Sequence, residues 1–196
     1  MSLSLATRLQ PFPTAGGALS GTLVARFRRG ARGLRYRLVM DVPGLVLPPP
    51  ATGTRERRHD LWRHTCAELF IGAPQRRDYL EWNLSADGHW NLYRFDDYRN
   101  GGREAEPGAH PSLWVTRTPT GIVIEGTLLL RPLGLDTLPL EVAACAVVET
   151  GDGVLSYWAT HHPAARPDFH DRRGFVHRLP VAPPPRPTMH EPEENP

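Results

Sequence analysis

Trp62, His64, Cys66, Glu68 and Phe70 stand at alternate positions. On an extended chain that spacing puts two aromatic rings, an imidazole, a thiol and a carboxyl on one face. Leu61, Arg63, Thr65, Ala67, Leu69 and Ile71 take the other face, which ends in an apolar set and is expected to meet the core. The next run repeats the pattern, with Glu81, Asn83 and Ser85 alternating against Leu80, Trp82 and Leu84. Matching the two apolar sets places Glu81 and Asn83 beside Glu68. The returning run adds either Asn91 with Tyr93 or Trp90 with Arg94, according to a register that the sequence leaves open.

Such a face suits a polyhydroxylated ligand. Aromatic rings cover the apolar side of a sugar, and carboxylates, amides and arginine pair with its hydroxyls. An ordinary half-solvated sheet face with a few structural hydrogen bonds accounts for the same residue types. Glu68 and Glu81 could instead act as acid and base in a hydrolase. That chemistry needs a carboxyl separation of about 5–5.5 Å or about 6.5–9.5 Å across an open cleft.

Other constellations are weaker. His161, His162, Asp168 and His170 fall within one short segment. Their spacing fits none of the tight zinc patterns, and short polar side chains there more readily pin a loop to backbone groups. Cys66 and His64 lie two apart on a strand, without the approach angle of an activated thiolate. Haem ligation through His64, His161 or Met40 has no Cys-x-x-Cys-His to support it. No cofactor is therefore expected, with haem or a divalent metal as the alternative.

These residues need strands to hold them. The chain has 196 residues, enough for one domain that buries a core without staples. Its 21 prolines and 18 glycines fall between short apolar runs, which reads as many strands joined by turns. Strands are expected at 21–28, 34–42, 61–72, 79–85, 89–96, 113–118, 122–130, 140–149, 154–160 and 175–181. Long loops at 43–60 and 98–112 are expected to close over the polar face, flanked by Trp62 and Tyr98. Ala86-Asp87-Gly88 makes a tight turn between two of the strands. The core is expected around Leu80, Trp82, Leu84, Phe70 or Ile71, Ile124, Val142, Ala144, Val148 and Trp158. About ten short strands at this spacing imply an all-β antiparallel sandwich or jelly roll over residues 1–181. The Pro/Glu-rich stretch 182–196 is expected to be a disordered tail.

A net charge of +2 is too small to suggest nucleic acid or an anionic membrane, and the cationic side chains are all arginine, scattered along the chain. Cys66 and Cys145 sit in apolar runs and read as small buried hydrophobes. Met1 to Pro13 lacks a charged region followed by an apolar one, so a cytoplasmic location is expected.

The runs DLWRHTCAELFIG, YLEWNLSADGHWNLYRFDDYRNG, GIVIEGTLLL and YWATHHPAARPDFHDRRGFVHRL together resemble bacterial DOMON-like domain proteins, which are related to family 9 carbohydrate-binding modules. The resemblance spans roughly Leu34 to Leu179. It implies a jelly-roll β-sandwich that binds a ligand, with sugars or haem as the known classes. It implies a ligand-bearing region containing Trp62, His64, Glu68, Glu81, Asn83, Arg94 and Tyr98, to which His161 and His170 are added as candidates. The expected function is a non-catalytic module for a carbohydrate or other small polar ligand, with no catalytic and no metal-ligating residue assigned. A haem-binding DOMON module and the carboxylate hydrolase stand as alternatives.

Overall fold

The computed structural model describes residues 3–13, 20–151 and 153–183. The tail expected from Ala182 onward lies almost wholly outside them. The strands are β1 (Leu3–Pro11), β2 (Thr22–Arg29), β3 (Gly33–Asp41), β4 (Cys66–Gly72), β5 (Tyr79–Ser85) and β6 (Trp90–Phe95). They continue with β7 (Arg103–Glu104), β8 (Ser112–Thr118), β9 (Gly121–Leu129), β10 (Leu140–Glu149), β11 (Leu155–Ala159) and β12 (His177–Leu179). The described residues contain short 3-10 turns and no α-helix, and no helix long and apolar enough to cross a membrane.

The strands pair antiparallel, in the order β7-β6-β5-β4-β10-β11-β1-β2-β3-β9-β8, with β12 beside β10. β1 joins the two halves of this path. Leu3 to Leu9 pair with β2, and Gln10 and Pro11 pair with β11. The sheet curls until β5 meets β9, where the Trp82 ring lies against the Cα of Gly126. A Cβ added at Gly126 would come within 2.6 Å of that ring. Only a glycine lets the two halves approach so closely there.

Strand alternation explains the core. Ala67, Leu69 and Ile71 of β4, Leu80, Trp82 and Leu84 of β5, and Val142, Ala144, Ala146 and Val148 of β10 point into the curl. There they meet Phe27, Tyr36, Leu38, Ile122 and Ile124 from the other half. Trp158 joins them, as expected, whereas Phe70 belongs to a second, smaller cluster on the outer face. That outer face of β4 is not solvated: every residue of the strand is buried. The covering segment is 160–175, which lays Phe169, His170 and Phe175 over Phe70, Tyr79 and Cys145.

Three expected boundaries change. β1 adds a strand before the first one expected. Leu61–Arg63 is a 3-10 turn rather than the start of a strand, entered through Asp60 in the left-handed region at φ 58. The loop 98–112 contains β7, whose Glu104 pairs with Tyr93.

Candidate functional site

The polar face expected from alternation is the outer face of β4, β5, β6 and β10. Glu68 stands opposite Asn83 on β5 and opposite Cys145 on β10. Glu81 stands opposite Phe70 and Tyr93. Register therefore puts Asn91, Tyr93 and Phe95 on this face. Arg94 turns the other way, where it pairs with Asp78 at 3.0 Å and donates to the carbonyl of Leu133. Glu68 is 3% exposed and Glu81 6%. Two carboxyls so deep in a sheet demand a physical account, since burial of a charge without a partner is expensive.

Hydrogen bonds fix the surroundings of Glu81. Nδ2 of Asn83 donates to its Oε1 at 2.7 Å, and Nε2 of His170 lies 3.6 Å from its Oε2. The tautomer of His170 follows from its other side. The backbone N–H of Arg99 donates to the Tyr79 hydroxyl, in a turn where Arg99 adopts φ 50. The Tyr79 hydroxyl then has one proton to give, and its neighbour at 2.7 Å is Nδ1 of His170. That assignment leaves Nε2 as the protonated nitrogen, facing Glu81. By contrast, Oε1 of Glu68 and Oδ1 of Asn83 are buried without a hydrogen-bond partner.

The loop above is tied down by Asp168. Its carboxylate accepts from the Tyr98 hydroxyl, from Nη2 of Arg99 at 2.9 Å and from the backbone N–H of His170 at 3.2 Å. The pinning expected for this segment thus centres on Asp168. His162 binds the carbonyl of Gln10 instead, and His161 lies exposed outside the cavity.

Burial sets the protonation states. It pushes the Glu68 carboxyl well above the usual range, the charge of Glu81 adds to this, and Arg99 opposes it. Burial also raises Glu81, against the Asn83 hydrogen bond and Arg99. Two neighbouring carboxyls in such a place hold a proton between them more readily than two charges. Desolvation, helped by Arg99, lowers His170 from its ordinary 6.5 to about 4, so the ring is neutral. Tyr79 and Tyr93 are raised to about 12, chiefly by burial. For Asp168, burial works against the charge, but hydrogen bonds from Tyr98 and Arg99 outweigh it and hold the carboxyl below its usual range.

Between the strands and the loop lies a cavity of about 430 Å3. Trp62, Tyr93, Phe95, Tyr157 and Phe169 supply aromatic walls. Glu68, Glu81, Arg99 and His170 supply the polar groups, with Val147 and Pro167 filling the remainder. Of the residues expected from sequence, Trp62, Glu68, Glu81 and His170 line the cavity, and Asn83 bonds to Glu81. Tyr98 stands at the rim through Asp168. His64 points to solvent against Glu149 at 2.8 Å and takes no part. None of 43–60 lines the cavity. The start of that segment is held at the end of β10, where Leu45 bridges Thr150, and its end meets β6 through the bridge of Arg57 with Trp90. The candidate haem ligands are apart from one another: Met40 is in the core, and His64 and His161 are outside the cavity. No group of three or more His, Cys, Asp or Glu able to hold a metal ion occurs among the described residues.

Arg99, Phe95, Tyr157 and Phe169 went unassigned by sequence reasoning. Alternation places Tyr157 opposite in facing to the core residue Trp158, and that signal was available. Arg99 and Phe169 sit in loops and carry no periodic signal.

No family model and no curated protein sequence matches the chain. Solved structures do. A candidate carbohydrate-binding protein from Bacteroides uniformis superposes with a TM-score of 0.66 at 10% identity, over 87% of this chain and 83% of that one. The chain shares its fold with carbohydrate-binding proteins. A family 9 carbohydrate-binding module from Caldicellulosiruptor kristjanssonii, in complex with cellotriose, gives a TM-score of 0.51 at 9% identity over 81% of this chain and 75% of that one. The same kind of module in complex with glucose gives 0.50 at 10% identity, over 81% and 76%. At these identities the likeness concerns the fold alone.

Proposed function

We propose that this chain is a non-catalytic carbohydrate-binding module of DOMON-like type, its curled sheet a jelly-roll sandwich and its site the cavity over β4, β5 and β10. The observation that carries this reading is the pairing of aromatic walls with a floor carboxyl, Glu68, whose buried Oε1 has no partner, next to Asn83, whose Oδ1 has none either. An unsatisfied buried polar atom costs about 1–3 kcal/mol. A ligand that brings hydrogen-bond donors removes that cost, and ring faces such as Tyr157 and Trp62 cover its apolar side. The cavity volume, about 430 Å3, lies within the range of small-ligand sites. The cellotriose and glucose bound by the family 9 modules of the same fold support a sugar as the ligand.

Calorimetric titration of the whole chain with mono- and oligosaccharides, neutral and amino, tests this. Tyr157→Ala and Glu81→Gln should each weaken binding of whichever sugar binds, with the melting temperature of the free protein largely kept. Binding that survives both substitutions would place the site elsewhere.

One observation favours a hydrolytic second reading: burial raises both floor carboxyls, Glu68 and Glu81, and a carboxyl kept in its acid form also serves acid–base chemistry. Release of nitrophenol from aryl glycosides, abolished in Glu81→Gln, would establish it. Absence of turnover with a sugar that binds would remove it.

A further inference from the structure

Resting on the carbohydrate reading, we infer that the ligand carries a protonated amine, and that the site takes an amino sugar with its ammonium group between Glu68 and Glu81. The floor of the cavity is rich in acceptors. Oε1 of Glu68 has no partner, Oδ1 of Asn83 beside it has none, and Oε2 of Glu81 has only the imidazole N–H at 3.6 Å. Nδ2 of Asn83, beside this floor, gives one of its two hydrogens to Glu81. A sugar hydroxyl brings one donor and seeks a donor in return. An ammonium group brings three donors and accepts nothing, which is the complement of this floor.

Charge points the same way. Among the described residues Arg99 is the one arginine lining the cavity, and its guanidinium is held by Asp168 at 2.9 Å. Neither floor carboxyl has a cation of its own. The walls add to this, since Trp62, Tyr93, Tyr157 and Phe169 line the cavity and aromatic faces attract cations that have left water. The titratable groups around Glu68 are Cys66 on its own strand, Glu81 from β5, Cys145 from β10, Tyr36 from β3 on the core side, and Arg99 from the loop above. Only Arg99 among them is a cation. An ammonium group arriving here therefore displaces the proton that Glu68 holds in the empty site, and binding releases that proton to solvent.

The experiment is calorimetric titration of the intact chain with glucosamine, glucose, N-acetylglucosamine and methylammonium, in two buffers of different ionisation enthalpy, at a pH where the sugar amine is protonated. Glucosamine should bind about tenfold or more tighter than either neutral sugar, with net proton release. In Glu68→Gln both the preference and the proton release should vanish, while the fold, checked by melting temperature, persists. Should that variant fail to fold, the sugar comparison and the proton count on the unmodified chain still decide. Neutral sugars binding as tightly as glucosamine would overturn the ammonium assignment and leave the carbohydrate reading intact. Methylammonium binding with no sugar binding would keep the ammonium site and overturn the carbohydrate reading. No binding by any of the four would overturn both.

Discussion

Replacing His170 by asparagine should remove a large part of the acid sensitivity of this fold. The His170 ring sits against Phe70, Phe95 and Tyr79 at centroid distances of 5.1, 4.9 and 5.8 Å, and accepts the Tyr79 proton on Nδ1 at 2.7 Å. Protonating Nδ1 would force that hydrogen bond to reverse and place a charge in a desolvated site near Arg99. Its pKa accordingly falls from 6.5 to about 4, chiefly by desolvation. A depressed histidine contributes stability that is fully present above its ordinary value and is lost as pH falls toward the folded one. A shift of this size corresponds to about 3 kcal/mol. The raised carboxyls Glu68 and Glu81 act in the opposite sense over part of the same window, so the difference between wild type and His170→Asn isolates the histidine. Urea unfolding across the window from pH 7 to pH 4 should show the wild-type advantage shrinking by about 3 kcal/mol. An NMR titration of the His170 ring checks the same point directly. A midpoint near 6.5, or a flat difference curve, would refute both the neutral tautomer and the relay from Tyr79 to Glu81.

Glu68→Gln should gain stability over wild type as pH rises above the ordinary carboxylate range. The raised carboxyl is harmless below that range and increasingly costly above it, at up to about 1.4 kcal/mol per pH unit, and urea unfolding at several pH values measures the trend. Gly126→Ala should lose about 1–3 kcal/mol, because its methyl group would strike the fully buried Trp82 ring and β9 cannot move away from β5 without opening the core. A wild-type melting temperature for that variant would contradict the close approach of the two halves. Cys66 and Cys145 are buried, and burial, followed by the charge of Glu68, pushes both thiols up. Neither should react with a thiol reagent at neutral pH until the protein unfolds, and fast labelling of the native chain would show the outer face of β4 to be open.

Much of this site is legible in period-two alternation. Leu80, Trp82 and Leu84 name the inner face of β5, so Glu81 and Asn83 must share the outer face with Glu68, and the register confirms that pairing. The same reasoning stops at β6. Trp90, Leu92 and Arg94 form one set, and Asn91, Tyr93 and Phe95 form another that is equally mixed in polarity. Arg94 is tolerated on the inner side because Asp78 and the Leu133 carbonyl meet it there, a long-range contact that no local pattern encodes. Trp62 reaches the cavity from a turn, not from the strand its spacing suggests, since Asp60 in the left-handed region redirects the chain just before it. The lid is the least legible part. Arg99 and Phe169 are placed by the contacts of Asp168 with Tyr98 and Arg99, some 70 residues apart in sequence, and by ring packing on Phe70.

Ligand entry into the cavity between β4, β5 and the Pro167–His170 loop can be followed by amide and indole chemical-shift mapping during a titration with glucosamine and with glucose. The largest shifts should fall on the Trp62 indole and on the backbone of Arg99, Phe169 and His170, with Trp114 on β8 unmoved. Shifts centred on β8 and β9, or saturating shifts that bypass the Trp62 indole and the Pro167–His170 loop, would contradict entry at this cavity.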